Sequence, residues 1–172
     1  MNPNATPPWL RVHRRRFDAP AACLFLDRDG VVCVERGYIA DPDDVALERG
    51  AVDLMVAARA EGYALACVTN QGGIGKGVVS WRAYQAVQDR ITGLLTMHYG
   101  LSFDAVALCP AHPDGIGDLR GDHDWRKPRP GMIAAAAAAL NLDLTRSLII
   151  GDSARDLEAG RAAGLPRGAL TL

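Results

Sequence analysis

Runs of consecutive apolar residues recur along the chain at Cys23–Asp27, Ala64–Thr69, Ala105–Cys109 and Ser147–Gly151, with Gly168–Leu172 a candidate fifth. Short apolar runs without polar alternation are the pattern of strands buried on both faces, as in parallel sheets. Between them lie helix-length stretches at roughly Ala51–Glu61, Ser80–His98, Pro130–Leu140 and Ser153–Ala163. Several ends carry their own signals. Ser80 is placed to cap the helix that begins at Trp81, and Pro130 suits a first helical turn. The alanine run Ala134–Ala139 has the highest helix propensity available. Gly62, Gly100 and Gly164 stand where helices commonly end. Strand alternating with helix predicts an α/β fold: three Rossmann-like layers around a mainly parallel sheet of about five strands. Residues 1–20 are rich in Pro, Asn and Arg and read as an arm packed loosely on a domain spanning 21–172.

Composition narrows the function classes. A chain of 172 residues, 49% hydrophobic and 23% charged, fits one globular domain. A formal net charge of -1 shows no nucleic-acid or membrane surface, and Arg14-Arg15-Arg16 reads as a solvated cluster. Cys23, Cys33, Cys67 and Cys109 have no C-x-x-C spacing, and Cys23 and Cys67 lie inside apolar runs, so they read as core residues. No segment has the form of a signal peptide or the length of a membrane span, so a reduced, cytoplasmic setting is expected.

Polar residues at the ends of the apolar runs carry the chemistry. The first run stops on Asp27-Arg28-Asp29-Gly30. Asp and Gly are ordinary turn residues, but two carboxylates at a strand tip raise each other's cost of ionising. A bound cation removes that cost and leaves one acid to attack and the other to move protons. The second run ends in Thr69-Asn70-Gln71-Gly72-Gly73-Ile74-Gly75-Lys76-Gly77. Its glycines suit phosphate binding through backbone N–H groups. It is not a Walker A loop, because Asn70 replaces the first glycine and Gly77 follows Lys76. Thr69 is placed to hold a phosphoryl oxygen. Arg126-Lys127-Pro128 precedes the third main helix. Gly151-Asp152-Ser153-Ala154-Arg155-Asp156 repeats the opening theme of a strand ending on an acid, with Asp156 on the same helical face as Asp152.

These motifs resemble those of the haloacid dehalogenase (HAD) superfamily of phosphatases, over nearly all of Cys23 to Leu172. Within it the likeness is to the branch of heptose bisphosphate and histidinol phosphatases. The branch marks are Leu26-Asp27-Arg28-Asp29-Gly30, Gly37-Tyr38, Thr69-Asn70-Gln71-Gly72-Gly73-Ile74 and Arg126-Lys127-Pro128-Arg129-Pro130-Gly131-Met132. The T-N-Q-x-G-I-x-x-G form favours the heptose subgroup.

The resemblance implies Mg²⁺-dependent hydrolysis of a small phosphomonoester through an aspartyl-phosphate, most simply the 7-phosphate of D-glycero-D-manno-heptose 1,7-bisphosphate. Asp27 would be the nucleophile and Asp29 the acid and base. Thr69 and Lys127 would bind the phosphoryl oxygens. Mg²⁺ would be held by Asp27, Asp152 and the Asp29 backbone carbonyl. Asp156 would orient Lys127 or outer waters, and Asn70 and Arg126 would contact substrate. The rival readings are histidinol phosphate, a polynucleotide 3′-phosphate, and a silent phosphate-binding domain. Near-neutral charge opposes nucleic acid, and the complete residue set opposes silence. A monomer acting on a small molecule, without nucleic acid or membrane, is expected.

Members of this branch commonly bind structural zinc through C-x-H and C-x-C pairs. Here those pairs read Cys109-Pro110-Ala111-His112 and His123-Asp124-Trp125, so Ala111 and Trp125 stand at ligand positions. Tetrahedral zinc needs four ligands, and the remnants Cys109, His112 and His123 leave structural zinc unexpected. The intervals from Asp27 to Thr69 and from Thr69 to Lys127 are each filled by a helix and its loops. No large cap domain fits, so an open site bordered by loops Val32–Asp44, Gly72–Val79 and Pro110–Arg126 is expected.

Overall fold

The computed structural model describes residues 9–170. Among these the strands are β1 (Leu10–Val12), β2 (Cys23–Leu26), β3 (Ala64–Asn70), β4 (Ala105–Cys109), β5 (Leu148–Gly151) and β6 (Arg167–Leu170). They form one sheet in the order β1-β4-β3-β2-β5-β6, parallel except for the edge pair β1–β4. The helices are α1 (Arg49–Ala60), the short α2 (Gly72–Gly75), α3 (Trp81–Tyr99), α4 (Gly131–Leu140) and α5 (Ala154–Ala162).

Strand β2 shows why apolar runs become central strands. Leu24 and Leu26 face one side, where they meet Val52 and Met55 of α1 and Val87, Ile91 and Leu95 of α3. Cys23 and Phe25 face the other, with Met132, Ile133 and Ala136 of α4 and Ala159 of α5. Both faces are covered, so neither tolerates polar residues. Complete burial of Phe25 and Leu26 stabilises the fold by about 1.5–3 kcal/mol each. Helix α3 begins where expected, with Ser80 Oγ accepting from Ala83 N at 3.1 Å. It ends on Gly100 at φ 62°, a conformation that glycine adopts without strain.

The chain runs outward through β2, β3 and β4, then returns to place β5 on the opposite side of β2. That reversal creates a crevice at the C-terminal ends of β2 and β5, the place where open α/β sheets bind ligands.

The segment before Cys23 differs from the loosely packed arm. Residues 1–8 lie outside the described residues, but Trp9 is buried and residues 10–12 pair with Ala105–Ala107 as an antiparallel edge strand. Further bonds follow, from His13 N to Asp104 O and from Phe17 N to Leu140 O. Alternation over three residues is too short to be read as a strand; its pairing partner is what defines it. No helix among the described residues is long and apolar enough to cross a membrane.

Candidate active site

Strand ends deliver the site. Asp27 is the first residue past β2, and its backbone N donates to Ile150 O at 3.0 Å, seating it in the crevice beside β5. Gly30 then turns the chain at φ 76°, and a Cβ there would lie 2.6 Å from Asp152 Oδ2. Both the positive φ and the close carboxylate require glycine. Strand β3 brings Thr69 to the same edge. Lys127 comes from the loop before α4 and is fixed by Asn70, whose Oδ1 accepts from Lys127 N (3.0 Å) and whose Nδ2 donates to Lys127 O (3.1 Å).

The Lys127 ammonium is buried among oxygens. It donates to Val68 O at 2.8 Å and pairs with Asp27 Oδ1 at 2.9 Å and Asp156 Oδ1 at 2.5 Å. Burial alone would drive its proton off, but Asp27 and Asp156 outweigh burial and hold its pKa above the ordinary value. Burial also pushes the Asp27 carboxyl up to about 6; Lys127 opposes that rise and Asp156 adds to it. The other oxygen of Asp156 accepts from Ser153 N and Oγ at 3.1 and 2.9 Å, which closes the first turn of α5 and aims the carboxylate inward.

Asp27, Asp152 and Asp156 offer carboxylate oxygens within 4.8 Å of one another. Lys127 pairs with two of them, whereas exposed Asp152 has no hydrogen-bond or ion-pair partner among the described residues. An all-oxygen, net negative donor set at a crevice mouth fits a hard divalent cation such as Mg²⁺. With both Asp156 oxygens already engaged, Asp27 and Asp152 are the carboxylates free to hold it.

Asp29 sits across the opening, gripped by Arg28 through two bonds, Nε to Oδ1 and Nη2 to Oδ2, both 2.9 Å. Gln71 Nε2 adds a bond to Asp29 Oδ2 at 2.8 Å and another to Thr69 Oγ1 at 2.9 Å. Asp27, Asp29, Thr69, Lys127 and Asp152 thus line one cleft of about 310 Å³, whose outer wall includes Glu35, Tyr38 and Arg155.

Comparison with known proteins agrees with this geometry. The D-glycero-beta-D-manno-heptose-1,7-bisphosphate 7-phosphatase of Mesorhizobium japonicum is 41% identical over 162 residues, covering 93% of this chain and 74% of that protein. This chain belongs to the HAD-like phosphatases, in their heptose bisphosphate phosphatase branch. The HAD-hydrolase-like family pattern itself matches residues 124–170 of this phosphatase. The D-glycero-alpha-D-manno-heptose-1,7-bisphosphate 7-phosphatase of Burkholderia mallei is 41% identical over 143 residues, 83% of this chain and 75% of that one. Among solved structures, a HAD-like phosphatase from Mesorhizobium loti superposes with a TM-score of 0.89 at 41% identity, over 94% of this chain and 78% of its own. The D,D-heptose 1,7-bisphosphate phosphatase of B. bronchiseptica, complexed with magnesium and phosphate, does so at 0.75 with 29% identity, over 85% and 78%. This HAD-like phosphatase is a phosphoric monoester hydrolase, and no large cap covers the sheet among the described residues.

The two residues expected to contact substrate also make bonds within the protein, and Asn70 lines the cleft. The Asn70 amide is committed to the Lys127 backbone. Arg126 donates to Ala111 O at 2.9 Å, with its Nη1 beside Gly72 of the cleft lining. The Pro110–Arg126 loop packs against α2, with Ile116 N donating to Gly75 O at 2.8 Å and with His112 and Arg126 lying against Gly72 of the cleft lining. The walls of this phosphatase come from the Glu35–Ile39 and Gly72–Val79 segments, within two of the loops expected to border it.

The zinc remnants are not gathered among the described residues. His123 Nδ1 accepts from Trp125 N at 3.1 Å and its ring lies 5.8 Å from that of Trp9. His112 Nδ1 accepts from Asp114 N at 3.0 Å, and Cys109 is buried in the core with Ala111. Trp125 packs on that same core.

Sequence reasoning passed over Arg28, Gln71 and Arg155. Arg28 lies between the two aspartates, and Gln71 two residues after Thr69. On a strand–turn, an i,i+2 spacing returns a side chain to the same side, a signal that could have linked Gln71 to Thr69.

Proposed function

We propose that this phosphatase removes the 7-phosphate of D-glycero-D-manno-heptose 1,7-bisphosphate. The observation that carries the reading is the convergence of Asp27, Asp29, Thr69, Lys127 and Asp152 in one cleft of a chain 41% identical to enzymes of that activity. Asp27 attacks the phosphorus, and the bond from phosphorus to the sugar oxygen breaks. Asp29, protonated in the substrate complex, gives that proton to the departing alkoxide, then takes one from the water that cleaves the aspartyl-phosphate, which frees inorganic phosphate and restores Asp27 and Asp29. Thr69 and Lys127 bind the phosphoryl oxygens where charge concentrates. Asp27 and Asp152, with the Asp29 backbone carbonyl, would hold Mg²⁺, which supplies charge neutralisation at the transferring phosphoryl group. Asp156 positions Lys127. The test is phosphate release from the heptose bisphosphate against histidinol phosphate and 3′-phosphorylated DNA. Faster turnover of either rival would sink the assignment. The two 41% relatives differ in anomer, so both anomers belong in the assay.

A bisphosphate carries a second anion, and Arg155 suits it. Arg155 lines the cleft, is exposed, and has no ion-pair partner among the described residues. Arg155→Gln is expected to lower kcat/KM for the bisphosphate about tenfold, as for one lost charge-assisted contact. The sugar 7-monophosphate should be little affected. An equal loss on both substrates would remove Arg155 from that role.

Structural zinc is not expected, since Ala111 and Trp125 cannot coordinate and Nδ1 of His112 and of His123 already accepts from a backbone N–H. Elemental analysis of protein purified without added metal checks this, and a stoichiometric zinc would overturn it. Four free, buried cysteines agree with a reducing compartment.

A further inference from the structure

Apart from a long contact from Cys33, the side-chain bonds to Asp29 and Thr69 come from two residues that no step of the reaction employs, Arg28 and Gln71. Asp29 Oδ1 accepts from Arg28 Nε at 2.9 Å and Cys33 Sγ at 3.5 Å; Oδ2 accepts from Arg28 Nη2 at 2.9 Å and Gln71 Nε2 at 2.8 Å. Gln71 Oε1 accepts from the same Arg28 Nη2 at 3.0 Å, which closes a ring of Arg28, Asp29 and Gln71. The second bond of Gln71 Nε2 runs to Thr69 Oγ1 at 2.9 Å.

This ring is built at a cost. Arg28 is 1% exposed and Gln71 8%, and the Arg28 guanidinium lies over the Tyr84 ring at 5.4 Å. Arg28 Nη1 has no hydrogen-bond partner among the described residues. A buried guanidinium with an unsatisfied N–H is poor value for stability alone. Its geometry has consequences for the reaction instead. A hydroxyl carries one hydrogen and two acceptor sites. With Gln71 donating to Thr69 Oγ1, that hydroxyl must use its own hydrogen elsewhere, and the cleft is what it faces. The same amide nitrogen fixes one oxygen of Asp29.

We propose that Gln71, through Arg28, is a positioning residue that couples the two halves of the active site. It turns the Thr69 hydroxyl hydrogen toward the phosphoryl group and sets the Asp29 carboxylate where the leaving oxygen departs. This rests on the acid role given to Asp29 above, and the test keeps the two apart. Gln71→Met keeps the volume and removes both bonds; Gln71→Glu keeps the contact to Arg28 but turns an acceptor toward Asp29 and Thr69. Each is assayed by kcat/KM, which reports the steps through leaving-group departure, on an alkyl phosphate and on 4-nitrophenyl phosphate. Nitrophenolate leaves without a proton, so misplacement of the acid harms the alkyl ester selectively.

In Gln71→Met the ratio of alkyl to nitrophenyl kcat/KM should fall about tenfold, as for a displaced acid. The nitrophenyl reaction should itself weaken several-fold, with weaker inhibition by inorganic phosphate, through Thr69. Gln71→Glu should lose at least as much. Equal losses on the two esters, or no loss, in either folded variant would overturn the coupling. Wild-type enzyme that hydrolyses 4-nitrophenyl phosphate and another alkyl phosphate but not the heptose bisphosphate would overturn only the substrate assignment; the ratio is then read on that alkyl ester.

Discussion

Asp27→Asn is expected to cut phosphate release about 10⁴-fold or more and yet to raise the melting temperature of the metal-free protein. Asn cannot form the acyl phosphate, so the first effect follows from the chemistry. The second follows from electrostatics. Burial lifts the Asp27 carboxyl from its ordinary 3.8 to about 6, so the folded state binds its proton more tightly than the unfolded chain does. Ionised Asp27 therefore subtracts stability above pH 6, and the deficit closes as pH falls through 6 toward 3.8. A rise of that size corresponds to roughly 2–3 kcal/mol, or about 5–10 °C in a domain of this length. Thermal melts of both proteins with chelator at pH 7.5 and pH 4 check the sign. The variant should lead at the higher pH and lose most of its lead at the lower. Added Mg²⁺ should stabilise the wild type more than the variant. Equal melting temperatures at pH 7.5 would mean that Lys127 fully offsets the burial of Asp27.

Lys127→Met is expected to be the most damaging single change to stability. It strips the ammonium from between two carboxylates, one of them, Asp156, fully buried and paired at 2.5 Å. Removing one partner of such a cluster costs about 3–5 kcal/mol, on the order of 10 °C here. Activity should fall at least 10²-fold, roughly the effect of removing one donor to developing charge. Adding Asp156→Asn to Lys127→Met should restore part of the stability, because it removes the stranded charge, but no activity. Additive stability losses in the double variant would show that the two residues are not energetically coupled.

The layer order and the reactive residues were legible in the sequence for a specific reason. Runs such as Cys23–Leu26 are apolar on both faces because helices cover both sides of the sheet, so they stand out without any knowledge of their partners. Asp27, Thr69 and Asp152 stand out because they break those runs at one end. In a parallel sheet all such ends share an edge, so Asp27, Asp29, Thr69 and Asp152 could be placed together before any coordinate was known. Lys127 was found by resemblance; nothing local distinguishes it from a solvated loop lysine.

Other features depend on contacts between distant segments. The edge strand at Leu10–Val12 exists only because Ala105–Ala107 offers it an unpaired side. The Pro110–Arg126 loop packs on α2, and the cleft walls include Tyr38, Glu35 and Arg155, far from it in sequence. Asn70 and Arg126 also bond backbone groups from distant segments, Lys127 and Ala111, which no local pattern announces.

The costly acid pair at the end of β2 shows where the division falls. Sequence alone determined that Asp27 and Asp29 would reach one ligand-binding edge, because apolar periodicity and strand direction are local properties of the chain. Only the tertiary structure decided how each acid is held. Asp27 is set against Lys127 and Asp156, from the far side of the sequence, and Asp29 is turned into the grip of Arg28 and Gln71. Charge and hydrogen bonding act through space over a few ångströms, and which groups come that close is settled by the packing of the whole sheet.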